Sequence, residues 1–211
     1  MQETLVLWDW DGTIIDNTQT GAAALEDMTQ KFGLPKPTSA DVKNVMTSVK
    51  ASYWTQFGAD WEIYGRYFLE RFQYHSNANE LVIFPGIRET MAWLKIMGVR
   101  QIVVSNKPDE MLQSEFKRTD LNAYLMKVCG VDFSDGLHKP QVQYAEKCLA
   151  GIGFDRLFMI GDSEMDMDFA KNIGATAVNV SPDARIKEGY IVSSHARLPN
   201  VLKKEFAKGY K

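Results

Sequence analysis

Five short runs of β-prone, mostly apolar residues mark out the chain: Thr4 to Trp8, Gln101 to Ser105, Met126 to Val131, Leu157 to Ile160 and Thr176 to Val180. Uninterrupted runs of this length, each ending in polar or glycine-containing sequence, fit strands buried on both faces of a sheet. Between them apolar residues recur at helical spacing, as Ile87, Met91 and Leu94 before Gly98, and as Val142, Ala145, Leu149 and Ile152 after Pro140. Such alternation predicts βαβ units. It implies an α/β fold with one parallel sheet, helices on both faces, and a ligand crevice where the strands end.

The stretch from Asn17 to Val82 breaks this rhythm. It holds apolar residues at helical spacing, such as Leu25, Met28 and Phe32, and no convincing strand. Nine aromatics lie between Tyr53 and Tyr74, enough for a small core of its own, with Trp54, Phe57, Trp61, Tyr64 and Phe68 as members. The expected organisation is therefore a core domain made of residues 1–16 and 83–211, interrupted by a helical domain of residues 17–82. The turn after Asp16 and the Phe84-Pro85-Gly86 turn are its borders. No internal repeat is evident.

Length and composition narrow the function classes. The chain has 211 residues, 45% hydrophobic and 24% charged, as in an ordinary globular protein that can bury a core. A net charge of −3 offers no general attraction to nucleic acid or to an anionic membrane surface. The basic residues Lys203, Lys204 and Lys208 fit a solvated helix face better than a binding patch. Cys129 and Cys148 are isolated thiols without metal or disulfide spacing and are expected in the core. No basic-then-apolar leader and no apolar run of ~20 residues is present, so a reducing cytoplasm is the expected home. Nothing in the pattern signals an oligomeric state.

Four polar clusters sit at strand ends. Asp9 and Asp11 follow the first strand, and in extended chain residues i and i+2 point the same way. Two like charges held close invite a metal ion, or a division of labour in which one carboxylate attacks and the other moves protons; a solvated acidic turn is the plain alternative. A calcium loop would need a glutamate at its twelfth position, where Thr20 stands. Asp162 ends the Leu157 to Ile160 strand on the side where Asp9 should emerge, and the two suit Mg²⁺, which takes one or two carboxylates plus phosphate. Ser163 and Asp166 match a Ser-x-x-Asp helix start, which alone would account for Asp166. Ser105 could donate to a phosphoryl oxygen or simply cap a helix. Lys139, read as standing just before a helix, would be repelled by the positive helix end unless a phosphate were bound, or else would face solvent.

Taken together, Asp9-Trp10-Asp11-Gly12-Thr13-Ile14-Ile15-Asp16, Ser105-Asn106, Lys139 and Gly161-Asp162-Ser163-Glu164-Met165-Asp166 resemble the four ordered motifs of the haloacid dehalogenase superfamily. The resemblance spans about Thr4 to Val180 and is closest to phosphoglycolate-phosphatase-like members. It implies a Rossmann-like core and makes the 17–82 insert a helical cap. It further implies a Mg²⁺-dependent phosphatase acting on a small-molecule phosphate ester, with Asp9 as nucleophile and Asp11 as acid and base. By the same resemblance Mg²⁺ is held by Asp9, the Asp11 carbonyl oxygen and Asp162, with Asp166 near the metal or its waters. Ser105 and the Asn106 backbone would hold phosphoryl oxygens, and Lys139 would neutralise charge on nucleophile and phosphate. Asp11 speaks against a dehalogenase and a phosphonatase. A phosphosugar mutase, or a binding protein that has lost turnover, stays as the alternative. Arg66, Arg71, His75, His138 and His195 receive no role.

Overall fold

The computed structural model describes residues 3–46, 50–132, 134–181, 187–192 and 194–207. In chain order the elements are β1 (Thr4–Trp8), β2 (Ile15–Asp16), α1 (Thr18–Lys31), α2 (Ser39–Met46), α3 (Lys50–Thr55), α4 (Trp61–Ala78), β3 (Val82–Ile83), α5 (Ile87–Ile96) and β4 (Arg100–Pro108). They continue with α6 (Asp109–Lys117), β5 (Lys127–Val131), α7 (Val142–Leu149), β6 (Arg156–Gly161), α8 (Glu164–Asn172), β7 (Thr176–Asn179), β8 (Tyr190–Ile191) and α9 (Leu198–Ala207). Two compact units emerge, residues 1–15 with 83–211, and residues 16–82. β2 and β3 pair as a separate two-stranded sheet.

The larger unit is built on a parallel sheet of order β5-β4-β1-β6-β7-β8. The chain thus winds outward from β1 in one direction, then crosses back and winds outward in the other. The strand-order reversal lies beside β1, where such sheets open a crevice past the strand ends. Leu5 and Leu7 point to one face and join Ile102, Val104, Leu157 and Met159, covered by Tyr144, Ala145 and Cys148 of α7 and Phe169 and Ala170 of α8. Val6 and Trp8 point to the other, where Gln101 receives the Trp8 indole N–H at 3.2 Å and donates to the Met91 carbonyl of α5 at 2.9 Å. Phe206 of α9 packs on Phe158 with ring centroids 5.0 Å apart. Helices therefore cover both faces, as the alternation predicts.

The differences from the sequence reading are local. β4 runs on to Pro108 instead of stopping at Ser105, with its register to β5 shifted between Val104 and Pro108. α7 ends at Leu149, leaving Ile152 beyond it, and Val142 is exposed. At ~100° per residue Val142 lies ~200° from Tyr144, so the inward face is Tyr144, Ala145 and Cys148. Cys129 and Cys148 are buried free thiols. Met126 precedes β5 and is half exposed. β8, two residues long, carries no periodicity to read.

The smaller unit is helical among its described residues apart from its share of β2 and β3. Leu25 and Met28 of α1 are buried, and Phe32 meets Tyr64 of α4 at a centroid distance of 4.6 Å. Trp54 packs on Phe68 at 5.5 Å and Phe57 on Tyr64 at 5.1 Å. Tyr53 and Phe72 join this core, while the Trp61 side chain lies outside the described residues. Asp27 of α1 accepts from Arg71 and bonds His75, each at 2.7 Å. Burial pushes the Asp27 carboxyl up, and these bonds outweigh it and hold it below the usual range. Arg71 and His75 are thereby tied to this unit's own packing, and Arg66 is exposed.

No described helix is long and apolar enough to cross a membrane.

Candidate active site

Strands carry Asp9, Ser105 and Asp162 to one end of the sheet, while Lys139 comes from the loop between β5 and α7 and Asp166 from the first turn of α8. Asp9 follows β1, and its N–H donates to the Ile160 carbonyl at 2.9 Å, extending the ladder to β6 by one bond. β6 ends at Gly161 and delivers Asp162, while Ser105 sits on β4. Parallel register makes this convergence obligatory, since Trp8 is level with both Val103 and Ile160. Asp9, Ser105, Lys139, Asp162 and Asp166 are all buried.

Four of these side chains form one cluster. Asp9, Asp162 and Asp166 offer carboxylate oxygens within 4.8 Å of one another. Lys139 Nζ bridges two of them, at 2.6 Å from Asp9 Oδ1 and 2.5 Å from Asp166 Oδ1. Burial, with the nearby Asp166 and Asp11 charges, pushes the Asp9 carboxyl up to about 7 despite Lys139. Burial and the charges of Asp9 and Asp166 also push Asp162 well above its usual range. Burial works against the Lys139 ammonium, but Asp166 and Asp9 outweigh it and hold that pKa above its ordinary value. One ammonium cannot balance three buried carboxylates, so without a further cation the cluster holds protons and with one it can ionise. That donor set of hard oxygens fits a divalent cation such as Mg²⁺.

The Asp11 side chain lies outside this group and is partly exposed. Its Oδ1 accepts instead from Lys107 Nζ at 2.7 Å, and Lys107 also reaches Glu115 Oε2 at 2.7 Å.

Several local readings change. Lys139 is not at a helix start: α7 begins at Val142 with Gln141 as its cap, and Lys139 is buried between carboxylates and not facing solvent. Ser105 caps no helix, because β4 continues through it and α6 starts after Pro108; its Oγ accepts from the Lys107 N–H at 3.2 Å. The Asn106 side chain clamps the Lys139 backbone, accepting from its N–H at 2.7 Å and donating to its carbonyl at 3.1 Å. Asp166 has two tasks. Oδ2 completes a capping box with Ser163 at the start of α8, while Oδ1 faces Lys139.

Lys107 and Glu115 do not stand out in the sequence, and His195, which receives no role there, reaches the first motif. The His195 ring stacks on Phe84 at 3.8 Å, and its Nε2 lies 3.2 Å from the Gly12 carbonyl, to which only an N–H can donate. Gly12 itself has φ of +81°, and a Cβ there would stand 2.4 Å from Asp162 Oδ2. Gly12→Ala is accordingly expected to displace the Asp162 carboxylate and lower turnover at least about tenfold, alongside backbone strain of ~1 kcal/mol or more. Turnover and divalent-cation affinity measured on the variant would check this; unchanged values would refute it.

A doubly wound parallel sheet with a buried carboxylate at its switch point, an ammonium upon it and further carboxylates just past β6 fits an α/β enzyme with a carboxylate nucleophile. The chain belongs to the haloacid dehalogenase-like hydrolase family, whose model matches residues 6–180. It is 28% identical over 188 residues to a phosphoglycolate phosphatase of Pseudomonas savastanoi pv. phaseolicola, covering 84% of this chain and 69% of that one. Among solved structures, a predicted phosphatase from Clostridium acetobutylicum superposes with a TM-score of 0.80 at 21% identity, over 97% of this chain and 100% of the other. A predicted phosphoglycolate phosphatase from Haemophilus somnus gives 0.78 at 20% identity, over 96% and 99%. These two likenesses speak to fold.

Proposed function

We propose that this hydrolase removes phosphate from a small-molecule phosphate monoester of the phosphoglycolate type, through an aspartyl-phosphate on Asp9. The observation that carries the reading is Asp9 itself. It is buried at the switch point, held by Lys139 at 2.6 Å, and backed by Asp162 and Asp166. In the first step an Asp9 oxygen bonds to phosphorus while the bond from phosphorus to the leaving oxygen breaks, and Asp11 gives that oxygen its proton. In the second, a water oxygen bonds to phosphorus, its proton passes to Asp11, and the bond from phosphorus to Asp9 breaks.

Mg²⁺ held by Asp9, the Asp11 carbonyl oxygen and Asp162, with Asp166 beside its waters, would supply positive charge for the approach of a carboxylate to a phosphate dianion. Lys139 adds a fixed positive charge on the nucleophile. Ser105 and the Asn106 backbone orient the phosphoryl oxygens. Residues 17–82 would be the helical cap domain of the family, and a reducing cytoplasm accords with the free thiols of Cys129 and Cys148.

The test is phosphate release from a panel that includes phosphoglycolate, sugar phosphates and nucleoside monophosphates, with Mg²⁺ or EDTA. Release is expected only with Mg²⁺ and only with Asp9 intact. Release that persists in EDTA, or isomerised sugar phosphate without free phosphate, would overturn the reading.

A further inference from the structure

Lys107 stands on β4 and is 6% exposed, Glu115 stands on α6 and is 3% exposed, and Trp10 is fully buried in the loop after β1. The loop after β1 and two consecutive elements far from it in sequence meet at one oxygen: Glu115 Oε2 accepts from Trp10 Nε1 at 2.6 Å and from Lys107 Nζ at 2.7 Å. The same Nζ donates to Asp11 Oδ1 at 2.7 Å. Glu115 therefore grips the Asp9-Trp10-Asp11 loop twice, through the indole of one residue and through a lysine on the carboxylate of the next.

Stability alone is a poor explanation. Buried ion pairs rarely outdo apolar residues of the same volume, because taking the charges out of water cancels most of their attraction. Such a cluster does impose a single orientation on each member. A carboxylate gripped at Oδ1 is restrained in reach, with Oδ2 left to face a leaving group, which is what a proton-transfer group needs, since displacement by ~1 Å can cost 10² in rate.

We propose that Lys107 and Glu115 are positioning residues for proton transfer, holding Asp11 in place through the Lys107 to Asp11 bond while Glu115 keeps the ammonium paired. The inference rests on Asp11 being the acid and base of the reaction, as above. It predicts a dependence on the leaving group. An alkyl phosphate must receive a proton as its bond to phosphorus breaks, whereas 2,4-dinitrophenolate leaves without one.

The experiment measures first-turnover release of both leaving groups by Lys107→Met, Glu115→Gln and Asp11→Asn, with Mg²⁺. Lys107→Met is expected to slow alkyl ester cleavage about 10²-fold and dinitrophenyl ester cleavage by no more than about threefold. With the latter ester a burst of dinitrophenolate should precede slow turnover, because hydrolysis of the aspartyl-phosphate still needs Asp11 as base. Glu115→Gln keeps the shape and should give the same pattern at about tenfold, which carries the test if Lys107→Met folds poorly. Equal slowing on both esters, or none, in these variants while Asp11→Asn discriminates between the esters would overturn the positioning role alone. Failure of Asp11→Asn to discriminate would overturn the acid assignment and this inference with it.

Discussion

Asp9→Asn is expected to lower phosphate release by about 10⁴-fold or more while making the metal-free protein more stable at pH 8. The loss follows from removing the nucleophile, since an amide oxygen in the same place cannot form the covalent intermediate. The gain follows from burial. With its folded pKa near 7 against an ordinary 3.8, Asp9 binds a proton in the folded state that the unfolded chain has already released across that interval. Stability from this group is therefore full below about pH 4, falls as pH rises towards 7, and stays low above. Asparagine has no such penalty, so the variant's advantage in EDTA should open between pH 4 and 7 and then level off. Mg²⁺ should reverse the order, because it stabilises the charged cluster of the wild type more than that of the variant. Thermal unfolding of both proteins across pH 4–8, with EDTA and with Mg²⁺, would check this; an advantage that narrows with rising pH would sink it.

Much of the larger unit is legible because a parallel strand covered on both faces needs an apolar stretch at its centre, and β1, β4, β5 and β6 each carry one. The site residues come together for the same reason: parallel strands of matched register bring their carboxyl ends to one edge, so Asp9, Ser105 and Asp162 converge wherever the strands are correctly found. What spacing does not disclose is which partner a charged side chain takes. Lys139 reads as a lysine ahead of a helix, yet the chain between it and α7 lets it turn inward to Asp9 and Asp166. Asp166 reads as a cap and is one, but a carboxylate has two oxygens and the second is available to Lys139. Lys107 is hidden because the apolar run stops at Ser105, so that it reads as part of a polar turn although β4 runs on to Pro108. One signal for it did exist. In α6 the buried positions are Met111, Leu112 and Glu115, so a glutamate occupies the apolar face of an amphipathic helix and requires a buried cation nearby.

Lys139→Met should separate the two tasks of that lysine. Methionine keeps an unbranched chain of similar reach, so the change removes charge with little loss of packing. Asp9 and Asp166 lose a shared donor at 2.6 Å and 2.5 Å, and both remain buried. Breaking a buried pair from one side costs about 3–5 kcal/mol, which is the expected drop in unfolding free energy in EDTA at neutral pH. Turnover should fall by ~10²–10³, the range seen when one stabilising donor is taken from a transition state. Mg²⁺ discriminates between these effects. A divalent cation restores positive charge to the cluster, so it should recover part of the lost stability and raise the melting temperature more in the variant than in the wild type. Even at saturation it should not restore wild-type turnover, since Mg²⁺ would sit on Asp9 in the wild type as well and so does not replace the ammonium's own contact with the nucleophile. If saturating Mg²⁺ brought turnover back to within about tenfold of wild type, well inside the range lost with a transition-state donor, Lys139 would be a counter-ion for Asp166 and not a partner of the attacking carboxylate.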